Sequence, residues 1–103
     1  MGRRENIMRN DIHSEGVEHL FQAILSLESV EECYAFFEDI CTVNELLSIS
    51  QRFNVGEMLL ENRTYKDISA ETGASTTTIS RVNRLLNDKD RGIEMAYERI
   101  RIQ

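Results

Sequence analysis

The stretch Gly73–Leu86, GASTTTISRVNRLL, decides how the surrounding chain folds. Glycine adopts a left-handed backbone at low cost, so Gly73 marks a turn. Ser75 follows as a helix N-cap, because its hydroxyl can accept a hydrogen bond from a free amide of the next turn. Ile79 and Val82 then have the apolar spacing of a helix. The stretch therefore predicts a turn followed by an amphipathic helix.

The residues before this stretch complete a helix-turn-helix. Thr64-Tyr-Lys-Asp67 has the spacing of a capping box and predicts a short first helix. Ile68 is apolar where the two helices must pack on each other, and Ser69 and Ala70 are small near the expected crossing point. In this motif the second helix enters the major groove of DNA. We therefore predict a helix-turn-helix over residues 63–87.

Periodicity and capping residues predict four further helices. Val17, Leu20, Phe21, Ile24 and Leu27 recur at helical spacing in the first. Ser29-Val-Glu-Glu32 and Thr42-Val-Asn-Glu45 read as capping boxes for the second helix and for a long third one. The chain has no proline and five glycines, so a strand-and-turn architecture is not expected. The expected fold is all-α, with about six helices and the helix-turn-helix in the C-terminal half.

Two further details concern the interior and the ends of these helices. Gly56 lies inside the long helix, where glycine costs about 1 kcal/mol relative to alanine, so we expect it to permit a close helix contact. Asn87 and Asp88 follow the second motif helix and offer a cap for the last helix, which carries Ile93 and Ile100 on its apolar stripe.

The chemistry of the second motif helix suits duplex DNA. Free amides, the helix dipole and clustered hydroxyls attract phosphate oxygens. Thr76 and Thr77 can donate or accept at base edges, and Arg81 and Arg84, further along, can reach phosphate or guanine. A helical hairpin packed for stability alone has the same spacing. The agreement of spacing, glycine, hydroxyls and arginines favours DNA.

Charge is distributed unevenly along a chain whose formal net charge is −6. Residues 1–62 carry four basic and twelve acidic side chains, whereas residues 63–103 carry eight basic and six acidic ones. The acidic part repels DNA and the part containing the motif does not.

Other classes of function find little support. The start MGRRENIMRND lacks the apolar core of a signal peptide, and no apolar run approaches the roughly 18 residues of a membrane helix, so we expect a cytoplasmic protein with no membrane partner. Cys33 and Cys41 lack CxxC spacing and are expected to be small buried side chains. His13 and His19 have no metal-binding context, and no phosphate loop or nucleophile motif occurs. We expect no enzyme activity, no metal and no cofactor.

Residues from about Cys41 to Asn87 resemble the Trp repressor superfamily, in particular its YerC/YecD branch. CTVNELLSISQRFNVGEMLL, residues 41–60, is similar to the family's long helix, with its mid-helix arginine and Leu-Leu end. TYKDISAETGASTTTISR, residues 64–81, is similar to its DNA-reading head. The resemblance implies an intertwined homodimer with shared N-terminal helices, whose two heads enter successive major grooves about 34 Å apart.

The resemblance also implies roles for individual residues. Thr76, Thr77 and Ser80 would face bases, Lys66 would face phosphate, and Tyr65 could offer its hydroxyl nearby. The complete set of predicted DNA-binding residues is Tyr65, Lys66, Ser75, Thr76, Thr77, Thr78, Ser80, Arg81 and Arg84.

The effector pocket that the resemblance implies is matched only in part by this sequence. Thr42, Arg52 and Arg81 stand where the Trp repressor holds tryptophan. However, Val82 replaces a glycine beside the indole and Leu85 replaces a serine near the ammonium group. The loss of that hydrogen-bond partner costs about 1–3 kcal/mol, so we do not expect tryptophan to be the corepressor. Arg52 and Arg81 are otherwise read as surface arginines paired with acidic neighbours.

The chain is expected to form one domain over residues 1–103, with a polar arm (1–13), dimerisation helices (14–62), the helix-turn-helix (63–87) and a C-terminal helix (88–103). The predicted function is sequence-specific transcriptional regulation, as a repressor that binds a two-fold symmetric operator as a dimer. The alternative is a helical protein–protein interaction module without DNA binding, in which the acidic N-terminal helices contact the partner.

Overall fold

The computed structural model describes residues 13–88 and 90–102, and these residues form six α-helices and no strand. The helices are α1 (Glu15–Leu25), α2 (Val30–Ile40), α3 (Val43–Leu60), α4 (Tyr65–Thr72), α5 (Thr76–Leu86) and α6 (Gly92–Arg101). The prediction of an all-α fold with a helix-turn-helix in the C-terminal half is therefore confirmed. Nearly all of the predicted polar arm lies outside the described residues. None of the described helices has the length and apolar character needed to cross a membrane.

The chain divides into two compact units, Met1–Ile40 and Cys41–Gln103. The described part of the first unit contains α1 and α2, and the second unit contains α3 to α6. The boundary falls inside the predicted group of residues 14–62. It does so because the buried residues of α3, Val55 and Gly56, pack against other helices of the second unit.

Local hydrogen bonds set the starts of α1 and α2. The Ser14 hydroxyl accepts from the Val17 amide at 3.2 Å. The Ser29 hydroxyl accepts from the Glu32 amide at 3.1 Å, as the predicted capping box requires. The Glu32 carboxylate, however, accepts from the Glu28 amide at 2.8 Å. The reciprocal half of that box is thus displaced by one residue toward the N-terminus.

The first unit has no fully buried residue in either helix. Two short helices are too small to enclose a core by themselves. The prediction that both cysteines are buried is wrong. Cys33, in α2, is exposed for this reason, and Cys41, the first residue of the second unit, is half-buried; both are free thiols. The large apolar side chains left exposed in this unit are Leu20, Phe21, Leu25, Val30, Tyr34 and Ile40.

The core of the second unit lies where α3, α4 and α5 meet. Val55, Ile68 and Ile79 have no exposed surface, and Val82 is 2% exposed. Full burial of such a side chain contributes about 1.5–3 kcal/mol relative to exposure. The predicted packing of the two motif helices through Ile68, Ile79 and Val82 is confirmed.

The two small residues expected near the helix crossing point do not lie in the contact between the motif helices. Ser69 and Ala70 are both exposed, whereas Ala74 in the turn is 2% exposed and belongs to the core. The expectation for Ser69 and Ala70 is therefore wrong, because the face that α4 turns toward the core is the one that carries Ile68.

The long helix α3 begins at the capping box that the sequence predicts. The Thr42 hydroxyl accepts from the Glu45 amide at 3.0 Å, and the Glu45 carboxylate accepts from the Thr42 amide at 2.8 Å. Two amides at this helix start, which would otherwise lack partners, are therefore satisfied.

The predicted close contact at Gly56 joins α3 to α6. A Cβ placed on Gly56 would stand 2.8 Å from Cγ2 of Ile93 and 3.6 Å from Cγ1 of Val82. The same two helices are joined at the surface, where the Tyr97 hydroxyl donates to the Glu61 carboxylate at 3.1 Å. Glycine is thus the residue that lets α6 lie directly on α3.

The start of α6 differs from the prediction. Its N-cap is Arg91, which has a left-handed backbone (φ 54°) and makes no side-chain capping bond; its Nε instead donates to the Glu94 carboxylate at 2.9 Å. Asn87 ends α5, and its Nδ2 donates to the Asn83 carbonyl at 2.9 Å. The predicted cap by Asn87 and Asp88 is therefore wrong, because the side chain of Asn87 is used to close α5.

Candidate nucleic-acid interface

Short-range hydrogen bonds fix the turn of the helix-turn-helix. The Thr64 hydroxyl accepts from the Asp67 amide at 3.1 Å and starts α4. Gly73 ends that helix in a left-handed conformation, with φ 76°. The Ser75 hydroxyl then accepts from the Thr78 amide at 3.1 Å and starts α5. Each of these three roles was predicted from the sequence and is confirmed.

Helix α5 is strongly amphipathic. Ile79 and Val82 face the core, whereas the residues on the other side are exposed. Because residues three and four apart share a helix face, the exposed residues form one continuous surface. They line a single shallow depression, and we refer to them as the recognition surface: Thr76, Thr77, Ser80, Arg81 and Arg84.

The remaining predicted DNA-binding residues lie at helix starts. Tyr65 and Lys66 are exposed in the first turn of α4, and Ser75 is exposed as the N-cap of α5. Thr78 is half-buried, and its hydroxyl accepts from the Ser75 hydroxyl at 3.2 Å. The structure thus brings five of the nine predicted residues into the recognition surface, leaves three exposed beside helix starts, and uses the hydroxyl of Thr78 internally.

The cations of this region differ in their pairing. Arg63 lies just before α4 and forms an ion pair of 2.5 Å with Glu71, which raises the pKa of Arg63 through their hydrogen bond and mutual attraction. By contrast, Lys66, Arg81 and Arg84 have no acidic partner within 4.0 Å among residues 13–88 and 90–102. The expected acidic pairing of Arg81 is therefore absent there, and three positive charges remain available to an anion.

The two units carry different charge. Residues 41–103 contain nine basic and nine acidic side chains, whereas residues 1–40 contain three basic and nine acidic ones. The whole net charge of −6 therefore resides in the first unit, and the unit that carries the recognition surface is neutral overall.

The predicted effector residues do not form a compact cluster on one helix. The side chain of Thr42 is occupied with the amide of Glu45 at the start of α3. Arg52 is exposed ten residues further along, which corresponds to about 15 Å of helix. Arg81 is exposed on α5 as part of the recognition surface. A ligand that touches both Thr42 and Arg52 of one chain would have to lie lengthwise along α3.

Three hydrogen bonds that were not predicted from the sequence hold the turn of the helix-turn-helix in place. Gln51 Nε2 on α3 donates to the Thr72 carbonyl at 3.0 Å. The Thr72 hydroxyl donates to the Ile68 carbonyl at 2.7 Å and accepts from the Ala74 amide at 3.1 Å. We refer to Gln51, Thr72 and Ala74 as the turn network. The position of Thr72, a hydroxyl residue directly before the turn glycine, was the sequence feature that could have indicated it.

The described histidines and carboxylates do not meet the requirements of a metal site. His13 and His19 are exposed in the first unit. Within residues 13–88 and 90–102, no group of three or more histidine, cysteine, aspartate or glutamate side chains has an arrangement that could hold a metal ion.

Comparison with known proteins extends these observations to nearly the whole chain. The model of the Trp repressor protein family matches residues 15–101. The uncharacterized protein YerC of Bacillus subtilis is 50% identical over 90 residues, which cover 87% of this chain and 86% of YerC.

Two solved structures have the same fold. A TrpR-like protein from Eubacterium eligens superposes with a TM-score of 0.85 at 58% identity, over 88% of this chain and 94% of its own. A candidate Trp repressor from Staphylococcus aureus superposes with a TM-score of 0.82 at 48% identity, over 87% of this chain and 90% of its own. In sequence and in fold, this chain belongs to the Trp repressor family.

Proposed function

We propose that this chain is a transcriptional regulator that binds duplex DNA as a homodimer and acts as a repressor at a two-fold symmetric operator. The observation that carries the proposal is the recognition surface, where hydroxyls and unpaired arginines occupy the solvent side of a helix that is firmly packed on its other side. Membership of the Trp repressor family supports a regulatory rather than an enzymatic role.

The proposed mechanism divides the contacts into two kinds. The free amides at the start of α5 and the cations Lys66, Arg81 and Arg84 bind phosphates, which orients the helix in the major groove. Thr76 and Thr77, in the first turn of α5, contact base edges through their hydroxyls and thymine methyls through their own methyls. A dimer seated in this way represses by occluding polymerase from the same DNA.

The proposed dimer is supported by the apolar surface that each unit leaves open. Leu25 is 83% exposed in the first unit, and Val43 is 74% exposed in the second. Large contiguous apolar surfaces are unusual on monomeric proteins and mark interaction sites. A second copy of the chain would bury these residues and hold two recognition surfaces about 34 Å apart, one helical turn of DNA. Sedimentation equilibrium should give twice the monomer mass of 11.9 kDa.

The proposed function is tested by selection of genomic DNA. Purified protein is mixed with sheared genomic fragments, washed at physiological salt, and the retained fragments are sequenced. The expected result is an enriched motif with two-fold symmetry and half-sites one helical turn apart. Thr77→Ala and Arg81→Ala should abolish retention while the dimer stays intact. Arg99→Ala, which removes an exposed arginine from α6, is the matched control and should retain the same fragments.

Two other outcomes contradict the proposal in different ways. Retention without an enriched motif would indicate a nonspecific DNA-binding protein. No retention, even at low salt and with cell extract added, would favour the alternative function, a protein–protein interaction module. The concentration of the whole net charge in the first unit would then define the contact surface of its partner.

We further propose that the helix-turn-helix binds DNA without tryptophan as a corepressor. Val82 supports this because its side chain is 2% exposed and packed in the core beside Gly56, so it fills space that a glycine would leave open. Leu85 is half exposed and has no group that could accept a hydrogen bond from an ammonium. Calorimetric titration with tryptophan should give no heat of binding at micromolar concentrations. A low-micromolar dissociation constant would contradict this part of the proposal.

A further inference from the structure

The turn network connects the long helix to the start of the recognition helix. Gln51 donates from α3 to the Thr72 carbonyl, and the Thr72 hydroxyl accepts from the amide of Ala74, one residue before the N-cap of α5. The Thr72 hydroxyl also donates to the Ile68 carbonyl within α4. A continuous series of hydrogen bonds therefore runs from α3, through the end of α4, to the beginning of α5.

These bonds satisfy groups that have no other partner in the described backbone. The last carbonyls of a helix lack intrahelical donors, and the Thr72 carbonyl is one of them. The Ala74 amide lies in a residue that is 2% exposed, so water cannot readily replace the Thr72 hydroxyl. A buried donor without an acceptor is costly, and the turn would have to open to relieve it. The network therefore favours one conformation of the turn.

The same bonds decide where the recognition surface points. Ser75 starts α5 directly after Ala74, so a change in the Ala74 position changes the direction in which α5 leaves the turn. Neither Gln51 nor Thr72 belongs to the recognition surface, and both are half-buried. They can act on DNA binding only through the placement of α5.

We propose that Gln51 and Thr72 are positioning residues for sequence-specific DNA recognition. This inference rests on the proposed function and adds to it the residues that set its specificity. Hydrogen bonds to base edges need placement within about 0.5 Å, whereas attraction to phosphates depends on charge and tolerates a shifted helix. Loss of the network therefore weakens binding to the operator and leaves binding to an arbitrary duplex unchanged.

The experiment measures dissociation constants for the selected operator and for a scrambled duplex of equal length, at one salt concentration. Thr72→Val removes the hydroxyl at nearly constant shape, and Gln51→Met removes the side-chain donor at nearly constant length. Each should weaken operator binding about tenfold, the size of one well-formed hydrogen bond, with the scrambled duplex unaffected. Thr72→Ser keeps the hydroxyl and should restore operator binding. Asn87→Ala, which removes a side-chain bond at the far end of α5, should leave both constants unchanged.

A second readout is independent of DNA. Amide hydrogen exchange of Ala74 in the free protein should accelerate in Thr72→Val and return to the wild-type rate in Thr72→Ser. The inference is overturned if Thr72→Val keeps the full ratio of operator to scrambled affinity, or if it weakens both duplexes equally. If the wild type binds neither duplex, the proposed function fails and the positioning role fails with it. If the wild type prefers the operator but Thr72→Val keeps that preference in full or weakens both duplexes equally, the positioning role alone is wrong and the proposed function stands.

Discussion

Gly56→Ala tests the contact that joins α6 to α3, because two effects of opposite sign meet at this position. In a helix interior, alanine is more favourable than glycine by about 1 kcal/mol. The new Cβ would stand 2.8 Å from Ile93 Cγ2 and 3.2 Å from Ile93 Cδ1. Carbon atoms in good contact are about 3.5–4.0 Å apart, so the first distance is too short by roughly 0.7 Å.

The close atom of Ile93 cannot move away easily. Cγ2 is attached to the branched Cβ of Ile93, whose χ1 angle is restricted in a helix, so α6 itself must shift. Such overpacking costs about 1–3 kcal/mol. After subtraction of the gain in helix propensity, we expect Gly56→Ala to destabilise the protein by about 1 kcal/mol, which lowers Tm by about 4–8 °C in a domain of this size.

The assay is thermal unfolding followed by circular dichroism at fixed protein concentration, since the melting of a dimer depends on concentration. In the Ile93→Ala background the clash is absent, so adding Gly56→Ala should raise Tm. Gly16→Ala is the matched control, because Gly16 lies in α1 and a methyl group added there would have nothing within 4 Å, so this change should also raise Tm. If Gly56→Ala stabilises the otherwise unchanged protein as Gly16→Ala does, the argument from the Ile93 contact is refuted.

Three further predictions concern the Gly73 turn, the salt dependence of DNA binding and the stability of the protein at alkaline pH. Gly73→Ala should cost about 1–2 kcal/mol in urea unfolding, because Gly73 has φ 76°, and Gly73→Asn should cost less, since asparagine tolerates this conformation better. Each of the two proposed DNA-binding heads has three unpaired cations, so the slope of log K for DNA binding against log[salt] should be no steeper than about −5. Arg84→Gln removes one cation from each head and should make the slope shallower by about 2. A slope steeper than about −8 would require phosphate contacts elsewhere. Partial burial, and then the hydrogen bond to Glu61, raise the pKa of Tyr97 above its ordinary value. Because the pKa of Tyr97 is higher in the folded than in the unfolded state, its protonated form contributes stability below about pH 10, and this contribution is lost as pH rises through the raised pKa. In urea unfolding, the wild type should therefore lose more stability than Tyr97→Phe between about pH 9 and pH 11.

Features decided by neighbouring residues could be predicted from the sequence. The cap of α3 follows from the reach of the Thr42 hydroxyl and the Glu45 carboxylate, whose partners lie three residues away. The left-handed Gly73 and the N-cap Ser75 follow from equally local chemistry. The recognition surface followed in turn, because a helix whose start and apolar side are known has a defined solvent side.

Features decided by competition or by tertiary contacts could not be predicted. Asn87 can either cap the next helix or close the preceding one, and its sequence neighbours are compatible with both. The structure shows the second outcome, with the Asn87 side chain bonded to the Asn83 carbonyl. The contact of α6 with Gly56 joins residues that are distant in sequence and was predicted only as a close approach, without its partner. Burial of Cys33 was predicted from the pattern of one helix, but none of the residues of α2 is fully buried, and Cys33 is exposed.

The distribution of charge explains how an acidic chain can bind a polyanion. The net charge of −6 belongs to the first unit, while the second unit is neutral and presents Lys66, Arg81 and Arg84 without acidic partners among the described residues. At physiological ionic strength, interactions between exposed charges are largely screened beyond about 8 Å. Affinity is therefore set by the charges that touch the phosphates. Glu71 is an acidic group of the motif, and its ion pair with Arg63 offsets its charge. Arg63→Ala would leave that carboxylate uncompensated beside the head, and we expect weaker binding to every duplex, whereas a change at Thr76 or Thr77 should weaken binding to the operator alone.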